Sequence, residues 1–131
     1  VESAQRFMTS GVPIVLAGLD VTTMVKFDRD RREAIAMRKS PLTDALCGLY
    51  SLWARGNMDA TPTLFDPVAV AMFLSDEHVS TRTAHVRVTD EGYTVLDESK
   101  PPNCTIGMHI DTRRFLDWLT PRLLNQNLGR L

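Results

Sequence analysis

At 131 residues the chain is long enough for one domain with a real core and too short for two. Its composition, 44% hydrophobic and 24% charged, is that of an ordinary globular protein, and a formal charge of −1 gives nucleic acid or an anionic membrane nothing to hold. No apolar run approaches a bilayer span, and Cys47 and Cys104 lack CxxC spacing or a supporting His or Cys cluster, so both read as reduced, buried thiols.

The chain opens on VESAQRFMTSG, which reads as the body of a helix without an N-cap. Val1, Ala4, Phe7 and Met8 share a face there, and Gly11 closes it as the C′ residue. There is no initiator Met and no signal-peptide pattern, so the sequence reads as entered midway, with any targeting information upstream. Val12 to Leu16 form a short aliphatic run without polar alternation, which suits a strand buried on both faces. Asp28 is placed to cap RDRREAIAMRKS, a helix with Ala34, Ile35 and Met37 inward and its charges on a solvated face. Pro41 interrupts the chain, and Thr43 or Asp44 starts a helix through ALCGLYSLWARGN.

After the loop MDATPT comes the stretch LFDPVAVAMFL. Asp66 fits an N-cap and Pro67 the first helical position, and the run Val68 to Leu74 is apolar all round, so a buried helix is expected. TRTAHVRVTDEGYTVLDES alternates like an exposed strand pair with a turn at Glu91-Gly92. KPPN is a turn and CTIGMHID a further strand. Asp111 or Thr112 caps the last helix, RRFLDWLTPRLLNQN, which Pro121 should bend or interrupt. The order α-β-α-α-α-β-β-β-α means an α/β fold, and it resembles the second half of a doubly wound, mostly parallel sheet.

Chemistry is sparse. The sequence has no Gly-rich phosphate loop, no His-x-x-x-His pair, no nucleophile elbow and no dense acidic cluster. His78, His85 and His109 read as surface or packing residues, with no oriented partner to make any of them an acid or base. Asp20, just past the first strand, stands where open α/β sheets bind ligands, though a turn or cap role serves it equally. Asp66 is different in kind. One oxygen could cap a helix while the other meets a hard cation such as calcium, but a single Asp cannot complete a site that needs six to eight oxygens.

Several stretches together are similar to the inosine-uridine-preferring nucleoside hydrolase family. GVPIVLAGLDVTTMV resembles its VPIxxxGLDVT segment, LFDPVAVAMFL its HDPxAVAxxL segment, and PPNCTIGMHIDTRRFLDWLTPRL its closing PNxxVAxxVDxxxFxxxL segment. VESAQRFMTSG likewise resembles DPEAAxxVxxSG, entered just after its Asp. The resemblance runs in order from about Gly11 to Leu124. It implies that residues 1–131 are the C-terminal portion of one nucleoside-hydrolase-like domain, whose N-terminal half is absent.

What the resemblance implies is an N-ribohydrolase that cleaves a ribonucleoside to ribose and free base with the help of Ca2+. Asp66 matches the family's C-terminal aspartate ligand. The aspartate-rich motif that supplies the base and most calcium ligands is absent, so no catalytic residue is assigned here and the chain alone is expected to be inactive. Many members carry His directly before the ligand Asp, where it can protonate the leaving base; here that position is Phe65, which can stack on a base but cannot donate a proton. Tyr50 and Trp53 lie three residues apart on one helix, where the family lines its base pocket. The expected partners are a ribonucleoside, the missing N-terminal part and further copies in a homo-oligomer, without nucleic acid or membrane, and the expected compartment is the cytoplasm. A non-catalytic relative that binds a sugar or nucleoside is the alternative. A free-standing interaction domain is a weaker one, since a cut sheet edge would invite aggregation.

Overall fold

The computed structural model describes residues 1–75 and 77–126. Its elements run α1 (Glu2–Met8), β1 (Val15–Leu16), α2 (Leu19–Thr22), α3 (Arg29–Arg38), α4 (Pro41–Ala54), α5 (Phe65–Leu74), β2 (Val79–Ala84), β3 (Val86–Val88), β4 (Thr94–Leu96), β5 (Cys104–Ile110) and α6 (Thr112–Leu124). The fold is α/β. β5 is the middle strand of three, parallel to β1 (Val15↔Thr105) and antiparallel to β2 (Ala84↔Cys104), with a bulge between Ser80 and Thr81. The alternating segment divides at His85, so that β3 and β4 form a separate hairpin with Gly92 at φ +92° in its turn.

The largest core joins α2, α3, α5 and α6 to the sheet through Val21, Val25, Ile35, Val68, Val79 and Phe115. A second cluster, including Met8, Ile14, Val86 and Ile106, seats α1 and the hairpin. Gly107 lets α5 rest directly on the sheet. A Cβ there would meet Met72 Cε at 3.0 Å and Val79 Cγ1 at 3.3 Å. Among the described residues no helix is long and apolar enough to cross a membrane.

Several expectations need correcting. On α1 only Met8 is buried, and Gly11 (φ +80°) lies beyond the C-cap, Thr9. The first strand has two residues, with β5 as its one neighbour among the described residues, and Val15 is exposed, so the strand is not buried on both faces. The short α2 went unforeseen; it places Asp20 in a helical first turn, exposed to solvent. Met37 is 81% exposed rather than inward. Helix α4 begins at Pro41, not at Thr43 or Asp44: Ser40 is its N-cap, its hydroxyl accepting from the Thr43 amide while the Thr43 hydroxyl accepts from the Ser40 amide. This capping box places Pro41 at the first helical position, where proline starts a helix rather than breaking one. Helix α6 continues through Pro121 to Leu124 without interruption, and its expected last residue, Asn127, lies outside the described residues.

Asp28 caps α3 as expected, accepting from the Arg31 amide at 2.9 Å. Burial works to raise its carboxyl, but hydrogen bonds from the Arg31 backbone and side chain, with the guanidinium charge, hold it below the ordinary carboxylate value. A depressed folded pKa gives stability that is present above the unfolded value, near pH ~3.9, and lost as pH falls through the folded one. Asp28→Ala should cost about 1 kcal/mol in urea denaturation at pH 7. The cost should shrink when the titration is repeated below pH ~3.5.

Candidate functional site

The approach to α5 is fixed by backbone pairing. The Phe27 amide donates to the Pro62 carbonyl and the Leu64 amide to the Val25 carbonyl, both at 2.9 Å, on either side of an isolated antiparallel bridge between Lys26 and Thr63. The pairing turns the chain into the helix two residues earlier than the Asp-Pro pair suggests. Leu64 is therefore the N-cap, Phe65 the first helical residue and Asp66 the second, with no side-chain cap hydrogen bond. Asp66 is not the cap that the sequence predicts. Its carboxylate is exposed and has no hydrogen bond or ion pair among the described residues. Nor is α5 buried all round. Val68, Ala71 and Met72 are, whereas Val70, Phe73 (80% exposed) and Leu74 face outward.

Behind Phe65 lies a cavity of about 540 Å³, within the range that suits a small organic ligand. Cys47, Leu49, Tyr50 and Trp53 of α4 form one wall, and Pro62, Leu64, Phe65 and Pro67 another. Phe27, Arg32, Ile35, Leu119 and Leu123 also line it. The three aromatic residues singled out in the sequence thus meet in one place, although Tyr50 and Trp53 come from a different helix than Phe65. Asp66 stands between two of the lining residues in sequence. Trp53 is 56% exposed and Phe65 43%, so both rings remain open to a ligand. The rings of Tyr50 and Trp53 have centroids 6.0 Å apart and planes 37° apart.

The polar content of the cavity is small. The Tyr50 hydroxyl lies 2.8 Å from the carbonyl oxygens of both Met58 and Ala60, so its one proton is held between them. Among the lining residues there is no carboxylic acid and no imidazole; Arg32 alone carries a charge. Its Nη1 donates to the Phe27 carbonyl at 2.8 Å, and its Cζ sits 5.4 Å from the Tyr50 ring centroid. The sequence reading put Arg32 on a solvated face. The overlooked signal is its place three residues before the buried Ile35, which puts both on one side of α3.

The remaining candidates lie elsewhere. His78 is buried against Phe115 and Trp118, with ring centroids at 6.2 and 4.9 Å. The Nδ1 of His85 pairs with the Pro101 carbonyl at 2.8 Å, and His109 is exposed. All three are surface or packing residues, as the sequence suggested. Both cysteines are free; Cys104 is buried, which pushes its thiol up, while Cys47 is only half-buried.

Among the described residues no three His, Cys, Asp or Glu side chains come together as a metal site. The described residues do not build a calcium cage by themselves. Asp66 offers an unencumbered carboxylate at the positive end of the ten-residue helix α5.

The profile of the inosine-uridine preferring nucleoside hydrolase family matches residues 1–117. A pyrimidine-specific ribonucleoside hydrolase of Citrobacter koseri is 29% identical over 136 residues, covering 93% of this chain and 44% of its own. Among solved structures, a purine-preferring ribonucleoside hydrolase from Gardnerella vaginalis superposes with a TM-score of 0.77 at 21% identity, covering 94% of this chain and 43% of its own. The inosine-uridine preferring nucleoside hydrolase from Bacillus anthracis gives 0.72 at 24% identity, with 94% and 40% covered. This chain spans less than half the length of these relatives. It belongs to the inosine-uridine preferring nucleoside hydrolase family.

Proposed function

We propose that this chain is the nucleobase-binding C-terminal part of a calcium-dependent ribonucleoside N-ribohydrolase. The observation that carries the reading is the meeting of Tyr50, Trp53 and Phe65 around one apolar cavity, with Asp66 on the adjoining helical turn. The aromatic rings hold the base by stacking, which is worth about 1–3 kcal/mol per base. The apolar walls shield the face of the base from bulk water. Asp66 contributes one oxygen ligand to the cation, and the remaining ligands and the base that deprotonates water come from an N-terminal part outside these 131 residues. When bound, calcium supplies Lewis acidity and orients the ribose hydroxyls.

On this reading the intact hydrolase releases ribose from uridine or inosine, and chelation stops it. The 131-residue chain alone releases none. A reducing-sugar assay with and without a chelator decides the matter, and turnover indifferent to calcium would remove the metal from the scheme. The intact enzyme is further proposed to act in the cytoplasm as a homo-oligomer.

Phe65 supports a second reading, a relative that binds nucleosides without cleaving them, because its ring cannot protonate a leaving base. The two part at one substitution. In a working hydrolase, Phe65→His should raise kcat/KM on a nucleoside with a poor leaving group by about tenfold or more, toward the ~10²-fold that a positioned acid contributes. In a non-catalytic protein it changes nothing measurable.

A further inference from the structure

We infer that Arg32 recognises the exocyclic carbonyl of the nucleobase and stabilises the negative charge that gathers there as the base departs. The inference rests on the reading that the cavity takes the base. A neutral base leaves with the electron pair of the C1′–N bond, so it needs either a proton or a nearby positive charge. For the first, the lining residues include no carboxylic acid or imidazole, and the Tyr50 proton is held between two backbone carbonyls; Arg32 is their one source of the second. The product side balances with water as the co-reactant. Its hydroxyl ends on C1′, and its other proton ends on the departed base.

Arg31 and Arg32 show the difference between a structural arginine and an available one. Arg31 is taken up by Asp28 and by Asp117, the latter at 2.5 Å. Arg32 has no carboxylate partner among the described residues. One of its five N–H groups is spent on the Phe27 carbonyl, and its guanidinium is held over the Tyr50 ring. That anchoring presets its direction, so little reorganisation is needed when a ligand arrives. A guanidinium stays protonated, so it acts as a donor and a charge, never as the acid. The ligand class that suits it is an oxo-base, whose carbonyl oxygen both accepts the hydrogen bond and carries the leaving charge.

The test is a titration of the intact protein with hypoxanthine and with purine, which differ by the 6-oxo group and the N1 proton that accompanies it. It is followed by NMR through the Trp53 indole N–H. Hypoxanthine should bind about tenfold more tightly, the share of one charge-assisted hydrogen bond. Arg32→Met, which keeps an apolar stem, should abolish that preference and leave purine within about twofold, while Arg32→Lys should keep part of it. Equal affinity of the unaltered protein for the two bases overturns the assignment, and so does an equal weakening of both in Arg32→Met, which would make Arg32 a packing residue. If neither base binds, the cavity reading itself falls.

Discussion

Asp66→Ala in the intact hydrolase is expected to abolish measurable turnover, with a loss on the order of 10³ or more. The loss follows if the ligand supports a metal worth several kcal/mol to the transition state, at about 1.4 kcal/mol per decade of rate. Calcium affinity should fall with it, because affinity follows the number of charged oxygen ligands. The fold should barely notice. The side chain is exposed and caps nothing, so what is lost without metal is the favourable meeting of a carboxylate with a helix N-terminus, about 0.3–1 kcal/mol. The informative comparison is therefore the melting temperature with and without calcium. The unaltered enzyme should show a calcium-dependent rise, and Asp66→Ala little or none. An undiminished rise in the variant would leave Asp66 without a role at the metal.

The second large effect concerns stability. Phe115 is fully buried, with its ring centroid 6.2 Å from that of His78 and 5.8 Å from that of Trp118. Phe115→Ala should cost about 3–5 kcal/mol, the transfer of a phenyl group plus the cavity it leaves. Domains of this size are stable by only about 5–15 kcal/mol, so the variant should sit near its unfolding threshold. Urea denaturation followed by circular dichroism measures this, and a loss below about 1 kcal/mol would mean that the core closes over the gap. Phe115→Leu, which keeps much of the volume, should cost markedly less.

Much of this was legible in the sequence. The caps at Asp28 and Asp111, the strand through Cys104–Ile110 and the turn near Gly92 follow from local chemistry, and the structure keeps them. What escaped was set by contacts distant in sequence. The start of α5 shifted because residues 25–27 pair with residues 62–64. The apolar run of α5 signalled burial, but the sheet covers only one side of it among the described residues. For the site, the resemblance pointed to Phe65, Tyr50, Trp53 and Asp66, and the cavity gathers the three aromatic residues. Arg32 stayed hidden because a charge run looks alike whether one of its members faces water or a cavity.

Gly107 has a consequence beyond packing. Helix α5 is a stiff rod, and Asp66 lies six residues from Met72, about 9 Å along its axis. The bare backbone of Gly107 is the fulcrum on which Met72 rests. A side chain added there would press first on the end of the Met72 side chain, at 3.0 Å, and on Val79 Cγ1, at 3.3 Å. The seat of the helix that carries Asp66 is thereby set from the middle strand of the sheet.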